Sequence, residues 1–211
     1  MKPPSLSEVP QALSLGTHLT PLDGACLMEV VSVAAGQRWT DAPGCTHPLL
    51  GQLARLVNDA SSPDARHRLI DYVPALVSAS SDDPAVHPRL AMACIEYAMR
   101  YRQTVWLRTL HRLCERQSIR QSRADPDARG FGGVVAATRR AMGEHGAAPR
   151  AVEAAALALS SPDLAVERDA ALRGLLEVGL AAVTGHTSST RPSEGSLEAV
   201  GGAVTLDPAP R

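Results

Sequence analysis

Apolar residues recur along this chain at helical spacing. Leu27, Val30, Val31 and Ala34 fall at i, i+3, i+4 and i+7, the stripe of a single helix face. Thr20-Pro21-Leu22-Asp23 reads as a capping box ahead of that stripe, so the pattern predicts a helix from Pro21 to Ala35 that ends near Gly36. A second helix is predicted from Pro48 to Asp59, with Leu49, Leu50, Leu53, Leu56 and Val57 facing inward. A third starts at Pro63, and Pro74 either kinks it or opens another. The longest candidate runs from Ala85 to Ser118. Between Leu90 and Leu107 it is apolar on most sides, through Cys94, Ile95, Tyr97, Met99, Tyr101, Val105 and Trp106. That is the pattern of a central helix with Trp106 in the core. Ala-rich helices follow to about Val183. Four starts share one punctuation, a small polar residue followed by proline, at Thr20-Pro21, Ser62-Pro63, Asp83-Pro84 and Ser161-Pro162.

Composition narrows the fold class. Hydrophobic residues make up 45% of the 211, yet aromatics only 3%, so the core must be built from Ala, Leu, Val and Met. Strong helix formers dominate and strand formers are scarce, which predicts an all-α, irregular multi-helix bundle. Ala75 to Val86 matches Ala155 to Val166 at six positions, each copy a helix end, a Ser-Ser turn and a new helix. HEAT-like stacked helical hairpins are therefore the alternative architecture. The expected organisation is a flexible arm over 1–19, a single helical domain over 20–185 and a disordered tail over 186–211, where Ser, Thr, Pro and Gly replace large apolar residues. The breaker-rich SRADPDARGFGG predicts a mobile connection near 122–133.

Charge excludes more than it selects. Twenty-one basic against 22 acidic residues give a net charge of −1, which disfavours nucleic acid or an anionic membrane as a partner. The N-terminus has no signal-peptide core and no apolar run is long enough to span a bilayer, so a cytoplasmic protein is expected. Four cysteines in such a chain are expected to be reduced thiols. Lys2 is the single lysine, and an Arg- and Ala-rich chain points to a GC-rich, bacterial genome.

Two regions carry candidate chemistry. In the stretch DGACLMEVVSVAAGQRWTDAPGCTHP, Cys26 near a helix start would be favoured as a thiolate, with Glu29 one turn on. If the following loop folds back, Asp41, Cys45 and His47 approach them. They would then form a mixed ligand set for zinc or iron, or a Cys/His pair for nucleophilic chemistry. Only Cys45 and His47 are closely spaced, so an ordinary helical core with buried Cys26 stands beside that reading. The segments Asp23-Gly24-Ala25-Cys26-Leu27-Met28-Glu29, Thr40-Asp41-Ala42-Pro43-Gly44-Cys45-Thr46-His47-Pro48 and Asn58-Asp59 resemble an uncharacterised helical family of actinobacteria and their phages. The resemblance covers residues 22 to 80 and implies no reaction. Thr40 stands for the family's serine and Ala42 for its frequent histidine, a departure that counts against a metal site.

The second region is an arginine stripe. Arg108, Arg112, Arg116 and Arg120 recur every four residues on the long helix, a face suited to an acidic protein partner. The aromatics Tyr97, Tyr101 and Trp106 are expected on the apolar side, not among the arginines. His111 and Cys114 share a helix face, and Gly130-Phe131-Gly132-Gly133 lacks both the strand and the Lys-Ser/Thr ending of a phosphate loop. With no convergent acid, base and nucleophile, the expected function is a non-catalytic helical binding or scaffold protein that engages a protein partner without a cofactor. The alternative is a small metal-dependent or cysteine-dependent enzyme or accessory protein built on Cys26, Glu29, Asp41, Cys45 and His47.

Overall fold

The computed structural model describes residues 12–122 and 146–185, with only the backbone at 120–122. The expected mobile connection beyond 122, the glycine run at 130–133 and the tail at 186–211 lie outside the described residues. Within them the chain is all-α, with no strand. The helices are α1 (Leu27–Ala34), α2 (Pro48–Ala60), α3 (Pro63–His67), α4 (Val73–Val77), α5 (Val86–Tyr101), α6 (Val105–Ser122), α7 (Ala147–Leu159) and α8 (Arg168–Thr184). A 3-10 turn over Arg68–Tyr72 joins α3 to α4, and another over Pro162–Leu164 precedes α8. Among the described residues no helix is long and apolar enough to cross a membrane.

Helix α5 lies at the centre, packed on α6, α7 and α8, while α2 packs on α7 and α8 and α1 on α2 and α4. Helices far apart in sequence thus meet directly, a closed bundle that lends no support to a HEAT-like row in which each repeat touches its neighbours. The core is aliphatic: Leu50, Leu53, Leu90, Ile95, Leu107, Leu110, Leu159 and Leu172 are all enclosed. Small residues set the spacing. A Cβ on Gly179 of α8 would collide with Leu53 of α2, so this glycine permits the close approach of the two helices.

Two element boundaries differ from the pattern. Helix α1 begins at Leu27, not Pro21. Thr20 and Asp23 form a local turn instead, in which the Asp23 carboxylate accepts from Thr20 N and Oγ1 at 3.1 and 2.9 Å. Gly24, at φ +129°, stops any helix there, and the box sits six residues on, with Cys26 at the N-cap and Glu29 accepting the Cys26 amide at 2.7 Å.

The predicted long helix is also two. Arg102 turns to an extended conformation (φ −148°, ψ 116°) and Thr104 restarts the chain, its Oγ1 accepting from Leu107 N at 3.1 Å. Trp106 is in consequence 57% exposed and not in the core. A break made by an ordinary Arg-Gln-Thr triplet carries no proline or glycine signal, which is why apolar spacing ran straight through it.

Candidate functional site

The stretch from Asp23 to Pro48 is organised by one carboxylate. Glu29 is wholly buried, and three donors satisfy it: His18 N at 2.6 Å on Oε1, and Cys26 N at 2.7 Å and His18 Nδ1 at 2.9 Å on Oε2. Around it residues 12–25 form a strap. Residues 12–19, expected to belong to a flexible arm, are held at almost every turn. Leu13 is in the core and Ser14 N donates to Ala25 O at 2.8 Å. Ser14 O accepts from Asn58 Nδ2 at 2.8 Å, and Gly16 N donates to Asp59 at 2.9 Å. Thr17 Oγ1 donates to Asp41 at 3.1 Å, and Trp39 Nε1 donates to His18 O at 2.8 Å. Asn58 also accepts from Leu27 N at 3.3 Å, joining the start of α1 to the end of α2.

Ser14 Oγ lies 3.1 Å from His18 Nε2, so serine, imidazole and the Glu29 carboxylate stand in the order of a hydrolytic triad. The surroundings exclude a substrate. Ser14 Oγ already accepts from Ala25 N at 2.9 Å and faces Ala25 O at 3.3 Å. Gly24 covers the pair so closely that a single added Cβ would collide with both Ser14 Oγ and His18 Nε2. An acyl carbon needs far more room than that, so the row is a lock, not a reaction centre.

Cys26 belongs to the same lock. Burial pushes its thiol up to about 12, with the Glu29 carboxylate adding to the effect and backbone amides opposing it. The thiolate favoured by a helix start therefore does not form, because desolvation outweighs the dipole. Burial likewise pushes Cys94 to about 12 and Cys114 to about 11, which leaves Cys114 a packing residue while His111 turns away to Glu96 at 3.0 Å.

The other proposed ligands go elsewhere. Asp41 accepts from Thr17 and pairs with Arg55 at 3.6 Å, and the Arg55 guanidinium also donates to Asp41 O at 2.5 Å. Cys45 is half-buried, 3.8 Å from Thr46 Oγ1. His47 caps α2 by position, donates its amide to Ala79 O at 2.7 Å and packs its ring against His87, with centroids 5.2 Å apart. Burial, then the nearby His87, lowers His47 to about 4, so it is a neutral imidazole at pH 7, and its Nδ1 is buried without a hydrogen-bond partner. The five candidates Cys26, Glu29, Asp41, Cys45 and His47 thus divide among separate tasks. Among the described residues no three His, Cys, Asp or Glu side chains are grouped to hold a metal ion.

Further round the bundle, a cleft of about 250 Å³ is lined by Ser61, Ser62, Arg68, Asp169 and Arg173 among others. Among its charges, Asp169 is held by Ser62 and Arg168. Partial burial would raise Asp169, but hydrogen bonds from Ser62, at 3.0 Å from N and 2.5 Å from Oγ, and the charges of Arg168 and Arg173 hold it below the usual carboxylate range.

The arginine stripe is where the surface opens. Arg108, Arg112 and Arg116 are exposed on α6, and among the described residues none has an ion-pair partner. The side chain of Arg120 lies outside the described residues. Contrary to the sequence pattern, large apolar groups on this helix are exposed as well: Trp106, Val105, Leu113 and Ile119, with Tyr101 at the end of α5. No family model, curated protein or solved structure matches this chain. Geometry alone therefore has to distinguish the two regions, and it separates them cleanly. The motif around Glu29 is spent on holding the strap, while the exposed α6 arginines have no ion-pair partner among the described residues and Trp106 is exposed. His18 and Ser14 were missed by sequence reasoning, and the one available hint was the Asn58-Asp59 pair, whose side chains turn out to grip the strap.

Proposed function

We propose that the protein is a non-catalytic helical binding or scaffold protein that engages a protein partner through the open face of α6. The observation that carries this reading is Trp106, exposed on the same helix as exposed Arg108, Arg112 and Arg116, which lack ion-pair partners among the described residues. Tryptophan and arginine dominate binding hot spots, because a large rigid ring gains most from desolvation and a guanidinium forks onto a carboxylate. An acidic partner with an apolar ridge satisfies both.

The test uses the full chain as bait in its native host, beside the R112E/R116E double variant and a Glu153→Ala control on the exposed side of α7. A protein retained by the wild type and the control, insensitive to nuclease and lost from the double variant, supports the reading. Equal retention by all three, or retention abolished by nuclease, overturns it. W106A serves as the fold check and should change stability by no more than about 0.5 kcal/mol, as surface substitutions do.

A second reading has one observation in its favour, the buried, unpartnered Nδ1 of His47 two residues from half-buried Cys45. Stoichiometric zinc or iron in protein purified without added metal, lost in Cys45→Ser, would establish it.

A further inference from the structure

The strap has an outer side as well as an inner one. Its inner side is over-determined by Glu29, Trp39, Asp41, Asn58 and Asp59. Its outer side presents leucines to water: Leu19 is 91% exposed, Leu22 96% and Leu15 58%. A loop that needed only to be anchored could carry polar groups there, as surface loops usually do. Three leucines on a backbone already fixed in place form a preorganised apolar surface, which loses little conformational freedom on binding.

Charge points to what covers it. Between residues 12 and 25 there is no Lys or Arg. Asp23 is exposed beside Leu22, and exposed Asp59 lies under the strap at Gly16. The α6 face is the complement, with exposed Val105, Trp106, Leu113 and Ile119 among three arginines opposed on that helix by Glu115 alone. From Val105 to Ile119 that face is about 21 Å long, ample for a loop carrying leucines at positions 15, 19 and 22. The two surfaces belong to different parts of the bundle: the strap is bonded to α1 and the end of α2, and α6 packs on α5 and α7. A molecule leaves both of its own faces exposed.

We propose that the strap of one molecule docks on the α6 face of a second copy, leucines against Trp106 and Leu113, with exposed Asp23 toward the arginines. The proposal rests on α6 being a contact surface and names its partner as this same chain. Because the two faces differ, two copies satisfy the contact by docking reciprocally, strap on α6 and α6 on strap, and where geometry forbids that pairing each added copy leaves one of each face open. Such a contact closes as a reciprocal pair or a ring, or extends as a filament.

Sedimentation velocity on the full chain over a range of concentrations tests it, with L19D/L22D blocking the strap and R112E/R116E blocking α6. The substituted side chains are all exposed, and far-UV circular dichroism confirms folding. The wild type should associate as its concentration rises, and each variant alone should remain a single chain. An equimolar mixture of the variants should form a 1:1 pair that grows no further, since one contributes an intact α6 face and the other an intact strap. A wild type that remains a single chain, or a mixture that fails to pair, overturns the proposal. If host-protein retention still depends on Arg112 and Arg116 in that case, α6 remains a contact surface and only the identity of its partner is wrong.

Discussion

Replacing Glu29 by glutamine keeps the shape of the lock and removes its charge. The carboxylate receives His18 N on one oxygen and Cys26 N with His18 Nδ1 on the other. A glutamine has one acceptor oxygen, and its best placement keeps the doubly bonded position, which also preserves the capping box at Cys26. Its NH2 group then faces the His18 amide, donor against donor. Leaving that buried amide unsatisfied costs about 1–3 kcal/mol, and the two remaining bonds each lose roughly 1 kcal/mol of charge assistance. The total is about 3–5 kcal/mol, unless the strap lets go and takes its groups to water. Release caps the cost at whatever docking the strap is worth.

Trp39 distinguishes these outcomes because its Nε1 donates to His18 O, and Trp106 is the chain's one other tryptophan. In a Trp106→Phe background, E29Q should lower the urea-unfolding free energy by about 3 kcal/mol or more. Alternatively, it should shift Trp39 emission to the red at zero denaturant with helicity unchanged. Unfolding within 0.5 kcal/mol of the parent together with an unshifted Trp39 spectrum would refute the account of Glu29 as the organiser of the strap.

Gly24→Ala should destabilise by at least about 2 kcal/mol in the same denaturation assay, since φ +129° suits only glycine and the added Cβ strikes Ser14 and His18; a neutral effect would mean that the cover is loose. His47 is held at about 4 in the fold against an ordinary value of 6.5, so the folded state binds fewer protons between those pH values. Its contribution is fully present above 6.5 and is lost as pH falls toward 4, by roughly 3 kcal/mol across the window. His47→Asn should flatten that part of the stability profile, and an unchanged slope would assign the acid loss to other groups. Thiol labelling of the native protein at pH 8 should modify Cys45 first, with Cys26, Cys94 and Cys114 reacting only on unfolding; early loss of the Cys26 thiol, followed by peptide mapping, would contradict its place in the core.

The helical class and most of the interior were readable from spacing. Leu49, Leu50, Leu53 and Val57 face inward as the pattern of α2 requires, and Pro74 opens α4 instead of kinking α3. What could not be read has a common physical origin. The stop at Gly24 depends on a positive φ that Ser14 and His18 exploit from ten and six residues away, and the break at Arg102 depends on a threonine cap with no accompanying breaker. Both are decided by tertiary contacts, not by local preference. The Trp106 assignment failed for the second reason: a helix restarted after three residues presents a different face, so an apolar ring in register with α5 is out of register on α6. The ligand-like residues of the opening stretch misled for a related cause. Cys, His, Glu and Asp are as useful for terminating helices and pinning loops as for binding metals, and spacing alone does not separate the two uses.

The direct packing of α2 on α8 also sets a timetable. Leu50 and Leu53 meet Gly179 in the finished fold, so the apolar face of α2, which also packs on α1 and α7, is not fully covered until α8 has been made. At ordinary elongation rates of 5–20 residues per second that interval is roughly 6–25 s, far longer than helices and local collapse need. A nascent chain stalled before α8 carries a partly uncovered leucine ridge, the kind of surface that chaperones bind and aggregates recruit. Truncations that remove α8 should therefore accumulate as insoluble product even though every helix upstream is intact in sequence, and the yield of full-length protein should respond to translation speed.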